Sequence, residues 1–243
     1  MKKSKTRLFI EKQISQNLMI YIKEKQHHFL KNVLRVKLND AINVFDGATG
    51  EWRSQVISIS KDKTALKIEK KIREFETQPD IWLIFAPIKL FRLNIIIQKA
   101  VELGVSKFIP CKTEFSNFDK LNYKNLTLNA IEASQQCERL DIPKIEKITS
   151  LKTLLDDFPS DRALVFCDES DLNLPSIYSE VRAKEEMYSK WAVIIGPEGG
   201  FSEEEKNSLV KKKNVLRVTL GKRILRSDTA AISSLFCIQS VVD

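Results

Sequence analysis

The sequence predicts an α/β protein in which a small β-rich module precedes an open parallel sheet, and three observations carry that prediction. Short β-rich runs broken by turn residues fill roughly the first seventy residues, the pattern of a small barrel. After "REFETQPD", continuous apolar runs alternate with helical patterns, as in a sheet covered on both faces. The charge changes at the same place: up to Ile72 there are 16 Lys and Arg against 7 Asp and Glu, and beyond it 24 against 25. A basic module of residues 1–72 beside a nearly neutral one of 73–243 suggests that the first meets a polyanion such as RNA while the second does something else.

The elements follow in order. "HHFLKNVLRV" reads as the helix of the first module. "AINVFDGATGEWRSQVISIS" sets Asp46, Gly47 and Gly50 between two strand-forming runs, and "KTALKIEKKI" alternates with period two. "IWLIFAPI" is apolar throughout, as a strand buried on both faces would be, and "LNIIIQKAVEL" is a helix stopped by Gly104. "VSKFIPC", "NLTLNAIEASQQCER", "RALVFCDE", "KWAVIIG", "EEEKNSLVKKK", "VLRVTL" and "DTAAISSLFCIQSVV" then alternate strand and helix. Ser227 or Asp228 can cap the last helix, whose Ala230, Ala231, Ser233 and Ser234 permit close approach of another element, in the core or at a dimer interface.

Several function classes drop out. No run of 18 apolar residues is present, and the basic start "MKKSKTRLFIEKQ" lacks the apolar core of a signal peptide, so no membrane association and a cytoplasmic location are expected. Cys111, Cys137, Cys167 and Cys237 form no CxxC pair, which suggests reduced, mostly buried thiols rather than disulfides or a metal site. His27 and His28 are the only histidines, so a Ser-His-Asp site within the second module is excluded; the pair reads as a polar surface turn.

The stretch "VIIGPEGGFSEEE", Val193 to Glu205, carries the chemistry. Glycines after a strand let a backbone approach a ligand, and ligands of parallel sheets sit beyond the carboxyl ends of strands. Gly221 follows "VLRVTL" in the same way, so two glycine loops are expected to line one pocket. Ser202 and Glu205 form a capping box, and with Glu203 and Glu204 they give an acidic first turn. A phosphate there would face three carboxylates; the expected ligand is neutral or cationic. Neither G-x-x-x-x-G-K-[ST] nor G-x-G-x-x-G occurs.

"IIGPEGGFSEEE" with "LGKRILRSDTAAISSL", and upstream "QKAVELGVSKFIP" with "EASQQCERLDIPKI", resembles the SPOUT methyltransferases. Among them the chain is similar to the RsmE family, which methylates N3 of a uridine in bacterial 16S ribosomal RNA, and the similarity extends through "HHFLKNVLRVKLND" over nearly the whole chain. The resemblance implies a PUA-like β-barrel that binds RNA, a SPOUT domain with a deep trefoil knot, S-adenosylmethionine as methyl donor, a homodimer, and 16S RNA in the 30S subunit as substrate. It places Gly196, Pro197, Glu198, Gly199 and Gly200 in a first cofactor loop and Leu220, Gly221, Ile224, Leu225 and Arg226 in a second. RNA contacts are expected at Arg35, Lys37 and Arg139. The chain departs from the family pattern at Lys222, where proline is common, at Asp228 and Gln135, where glutamate is, and at Phe115, where arginine is. The last two bear on how RNA is held.

Methyl transfer from a sulfonium is an in-line displacement, for which the protein supplies orientation and electrostatics. Uridine N3 must lose a proton, and without histidine that falls to a carboxylate, water or a cation that stabilises the anion. Arg226 is the expected anion stabiliser, with Glu198 or Asp228 as base or positioning group. Two alternatives fit parts of the sequence: a non-catalytic RNA-binding or ribosome-assembly protein, which should not bind S-adenosylmethionine, and a SPOUT ribose 2′-O-methyltransferase, whose product leaves the pairing edge free.

Overall fold

A computed structural model describes residues 3–116, 120–171 and 173–242. It divides into two compact units, Met1–Thr77 with Ser134–Ile142, and Gln78–Ala133 with Pro143–Asp243. The excursion of Ser134–Ile142 into the first unit has no counterpart in a single cut near residue 72.

The first unit is a curled five-stranded sheet. β1 (Arg7–Phe9), β2 (Met19–Lys23), β3 (Ala41–Phe45), β4 (Glu51–Ile59) and β5 (Lys63–Arg73) lie in the order β1-β3-β4-β5-β2. Three register shifts between β4 and β5 bend the pair, as bulges do. Alternation turns Leu8, Ile22, Ile42, Val44, Val56, Leu66 and Ile68 into one core, which Leu30 joins. Leu30 comes from the helix read in "HHFLKNVLRV", here α1 (Glu24–His28) followed by a π-helical turn over Phe29–Val33. Gly50 has φ +101°, and a Cβ there would lie 2.3 Å from the Arg73 carbonyl oxygen, so only glycine closes this turn.

His27 is not a surface residue. It is 6% exposed, with Nδ1 2.9 Å from the Thr64 hydroxyl and Nε2 3.2 Å from the Lys61 carbonyl, because α1 packs against β5.

Ser134–Ile142 is fastened by Arg7. Its Nε donates to Glu51 at 2.7 Å, and its terminal nitrogens donate to the carbonyls of Ser134, Gln135, Glu138 and Arg139 at 3.1 to 3.3 Å. Gln135 Oε1 accepts the Phe9 N–H at 2.9 Å, satisfying the free edge of β1.

The second unit contains β6 (Asp80–Phe85), α2 (Leu90–Glu102), β7 (Lys107–Lys112), α3 (Tyr123–Gln136, ending in the excursion), β8 (Lys144–Ile145), β9 (Thr149–Ser150), α4 (Leu151–Asp156), β10 (Arg162–Cys167), α5 (Ile177–Lys184), β11 (Lys190–Ile195), α6 (Glu203–Val210), β12 (Val215–Val218) and α7 (Ser227–Val242). The strands run β12-β10-β11-β6-β7-β8, every pairing parallel, with β9 on β7. Their apolar runs are buried on both faces, as a parallel sheet requires. The short elements β8, β9, α4 and α5 lie below the periodicity the sequence offers. Ser150 and Ser176, which cap α4 and α5 by accepting from Thr153 N and Ser179 N, were the available signal.

Candidate active site

β12, β10 and β11 are adjacent, so Val218, Cys167 and Ile195 end side by side. The loops that follow these strands surround a cleft of about 300 Å³. All the residues expected to hold cofactor line it except Gly199: Gly196, Pro197, Glu198 and Gly200 come from the first loop, Leu220, Gly221, Ile224, Leu225 and Arg226 from the second. Gly199 faces away, against Phe115. Sequence reasoning missed the third wall, Cys167 at the end of β10 with Asp168 and Glu169 after it, and the base formed by Ser227 and Ala230. Adjacency of β10 to both other strands is a property of the sheet order, which no local pattern reports.

The first loop is shaped by its glycines and by Phe201. A Cβ on Gly196 would stand 2.8 Å from the Phe201 ring, which is buried edge-on against Phe166 with centroids 5.4 Å apart. Gly200 has φ +72°, and Gly221 in the second loop +103°. The Ser227 hydroxyl donates to the Gly196 carbonyl at 3.1 Å, joining the first loop to the start of α7 rather than capping that helix. Asp228 accepts from Thr229 N at 3.0 Å.

The capping box is present: Ser202 Oγ accepts from Glu205 N, and Glu205 Oε2 from Ser202 N. Glu205 Oε1 also accepts from Glu114 N at 2.8 Å, and Glu203 pairs with Lys206 at 3.0 Å. None of Glu203, Glu204 and Glu205 lines the cleft.

Asp168 is buried at the cleft wall. Burial alone would raise its pKa, but hydrogen bonds from the Ser170 hydroxyl and N–H and from Arg217 outweigh that and hold it below its ordinary value. Burial pushes the Cys167 thiol up to about 12, so it is an inert wall residue. Glu198 is half-exposed, 3.7 Å from Arg92. Arg226 is exposed at the rim, and among the described residues its side chain has no hydrogen-bond or ion-pair partner.

Arg35, with φ +49°, and Lys37 are exposed on the first unit. Arg139 is placed otherwise than expected: its side chain is 5% exposed and its guanidinium grips Asp141 in two bonds of 2.9 and 2.7 Å. A bidentate pair at that depth leaves little of the fork for RNA, so Arg139 braces the Ser134–Ile142 segment.

The cleft fits S-adenosylmethionine in its chemistry. Main chain and the aliphatic side chains of Leu220, Ile224 and Leu225 suit a flat base, and Asp168, Glu169 and Glu198 on the wall suit a cationic centre, with Arg223 and Arg226 lining the second loop's side.

Fold and cleft define an RNA methyltransferase, and the comparisons agree. The model of the RNA methyltransferase domain matches residues 76–239, and that of the RNA methyltransferase PUA domain matches 22–69. The chain belongs to the ribosomal RNA small subunit methyltransferase E family. It is 32% identical to the Rickettsia conorii member over 231 residues, covering 94% of this chain and 93% of that one. To the Bacillus subtilis member it is 31% identical over 246 residues, covering 96% and 95%. Among solved structures, the Neisseria gonorrhoeae member bound to S-adenosylmethionine has a TM-score of 0.85 at 25% identity, with 97% of both chains covered.

Proposed function

We propose that this protein transfers a methyl group from S-adenosylmethionine to N3 of one uridine in 16S ribosomal RNA, acting as a cytoplasmic homodimer on the 30S subunit. The observation that carries the reading is a cleft between two glycine loops, walled by Asp168, Glu169 and Glu198, with an uncommitted arginine, Arg226, at its rim. In this reading residues 1–72 bind RNA through Arg35 and Lys37, and residues 73–243 form a SPOUT domain whose cofactor loops are held in a trefoil knot. No described helix is long and apolar enough to cross a membrane.

The bound donor would supply an electrophilic methyl on a sulfonium. The chain's own residues do the rest. The loops of Gly196–Gly200 and Leu220–Arg226 hold the adenosyl portion and exclude water. Arg226 stabilises negative charge on the uracil as N3 loses its proton, and Glu198 or Asp228 accepts that proton or positions the group that does.

The test is transfer of labelled methyl to unmodified 30S subunits and to free 16S RNA, followed by nucleoside analysis. Labelled 3-methyluridine is expected. Arg226→Ala should lower kcat by about 100- to 1000-fold. A labelled ribose in place of the base would favour the 2′-O reading, and absence of a calorimetric response to S-adenosylmethionine would favour a non-catalytic RNA-binding protein.

A further inference from the structure

The loop Thr113–Ser116, directly after β7, is pinned from two sides. Thr113 N donates to Ser116 Oγ at 3.0 Å, the two hydroxyls lie 2.8 Å apart, and Ser116 N donates to Thr113 O at 3.1 Å. Glu114 N donates to Glu205 Oε1 at 2.8 Å, which fastens the loop to the capping box of α6. Phe115 stands at the apex of this fixed turn and is 44% exposed.

Its placement is not that of a stray surface residue. The Phe115 Cβ lies 3.0 Å from where a side chain on Gly199 would begin, so the ring's stem fits against the bare backbone of the first cofactor loop. Gly199 is flanked by Glu198 and Gly200, which line the cleft on the other side. The phenyl group is therefore carried on the outer surface of the loop whose inner surface faces cofactor. Single exposed apolar side chains are common, but this one stands on a hydrogen-bonded turn against a loop that lines the cleft. A ring without charge or hydrogen-bonding atoms offers a partner only its flat apolar face. In an RNA substrate the group that matches it best is the face of an unpaired base, which stacks over its whole area, whereas a charged phosphate gains nothing from it.

We propose that Phe115 stacks against an unpaired base of the RNA substrate next to the cofactor cleft, and so fixes the register of the target nucleotide. This rests on the reading of the protein as an RNA methyltransferase. Because the contact is uncharged, its contribution is insensitive to salt, unlike that of phosphate contacts.

The experiment compares wild type, Phe115→Ala, Phe115→Leu and Phe115→Trp in steady-state methylation of unmodified 30S subunits, with cofactor affinity by calorimetry and mass by sedimentation. Phe115→Ala is expected to lose about 5- to 150-fold in kcat/KM for RNA, the worth of one stacked base. Cofactor affinity should stay within about twofold of wild type. Phe115→Trp should retain activity, Phe115→Leu should fall between, and the loss should persist unchanged as salt is raised.

Wild-type activity for Phe115→Ala overturns the proposal. So does full rescue by leucine, or a loss matched by weaker cofactor binding, either of which makes the ring a prop for the loop. A change of mass in Phe115→Ala would assign the ring to a subunit interface and overturn it as well. Wild-type protein that methylates no RNA removes the parent reading and this proposal together, whereas active wild type with an indifferent Phe115→Ala removes this proposal alone.

Discussion

Gly196→Ala puts one methyl group where the structure has no room. The new carbon would lie 2.8, 3.2 and 3.3 Å from three atoms of the Phe201 ring, and carbon contacts are optimal at about 3.5 to 4.0 Å. The ring must retreat by about 0.7 Å or more to restore contact. Behind it stands Phe166, edge-on with centroids 5.4 Å apart, inside a buried cluster that includes Ile194 and Leu209. Overpacking of this kind costs about 1–3 kcal/mol. In a chain of this size that lowers Tm by roughly 2 to 12 °C. The displaced loop should also weaken S-adenosylmethionine binding, so the stabilisation by saturating cofactor shrinks in a thermal melt. Phe201→Leu makes space, and in that background Gly196→Ala should be milder by about 1 kcal/mol, the coupling of touching side chains. Gly221→Ala is the control: its Cβ would meet nothing within 4 Å, yet φ is +103°. Its cost, about 1–2 kcal/mol, comes from backbone strain and should not respond to Phe201→Leu. A melt of Gly196→Ala indistinguishable from wild type, or strict additivity with Phe201→Leu, refutes the steric account.

In the first unit, Arg7→Met leaves the buried Glu51 with Asn43 and the longer Arg73 contact and removes a donor from four carbonyls, of which that of Glu138 keeps Arg73. It should destabilise that unit by about 3 kcal/mol in urea and speed amide exchange at Phe9; a loss below about 1 kcal/mol would show that the cluster contributes little. Asp168 has a folded pKa below its unfolded value, so its stabilisation is complete above the unfolded pKa near 3.8 and is lost as pH falls through the folded one. Asp168→Asn should therefore be less stable than wild type at neutral pH, with the gap closing below about pH 4; a gap constant down to pH 2 would mean that the charge is immaterial.

The sequence made legible what is local or periodic. Ser202 and Glu205 announce the capping box, Gly104 the end of α2, and the apolar runs the parallel strands, because each depends on neighbours within a few residues. The two glycine loops were legible as one pocket only because strands of a parallel sheet share a carboxyl end. What was not legible depends on partners far along the chain. His27 is buried by Thr64 and Lys61, Arg139 lies in the segment that Arg7 draws into the first unit, and Asp168 reaches the cleft because β10 sits between β11 and β12. Gln135, where the family commonly has glutamate, needs only its carbonyl oxygen to accept Phe9 N–H, so an amide serves that bond as well as a carboxylate would.

That distinction separates the residues that hold the site from those left to act on substrate. Glu205 is acidic and near the first glycine loop, yet both its oxygens are committed to backbone N–H groups of Ser202 and Glu114. Ser227 is committed to the Gly196 carbonyl, Asp168 to Ser170 and Arg217, and Arg139 to Asp141. Each fixes the shape of a loop or fastens it to a neighbouring segment, and withdrawing any of them for chemistry would leave a backbone or charged group without a partner. Arg226 and Phe115 are different, one a cation with no partner among the described residues and the other an aromatic ring with an open face, both at the edges of the same loops. A pre-organised site needs residues of both kinds, and it is the uncommitted ones whose substitution should change turnover without first changing stability.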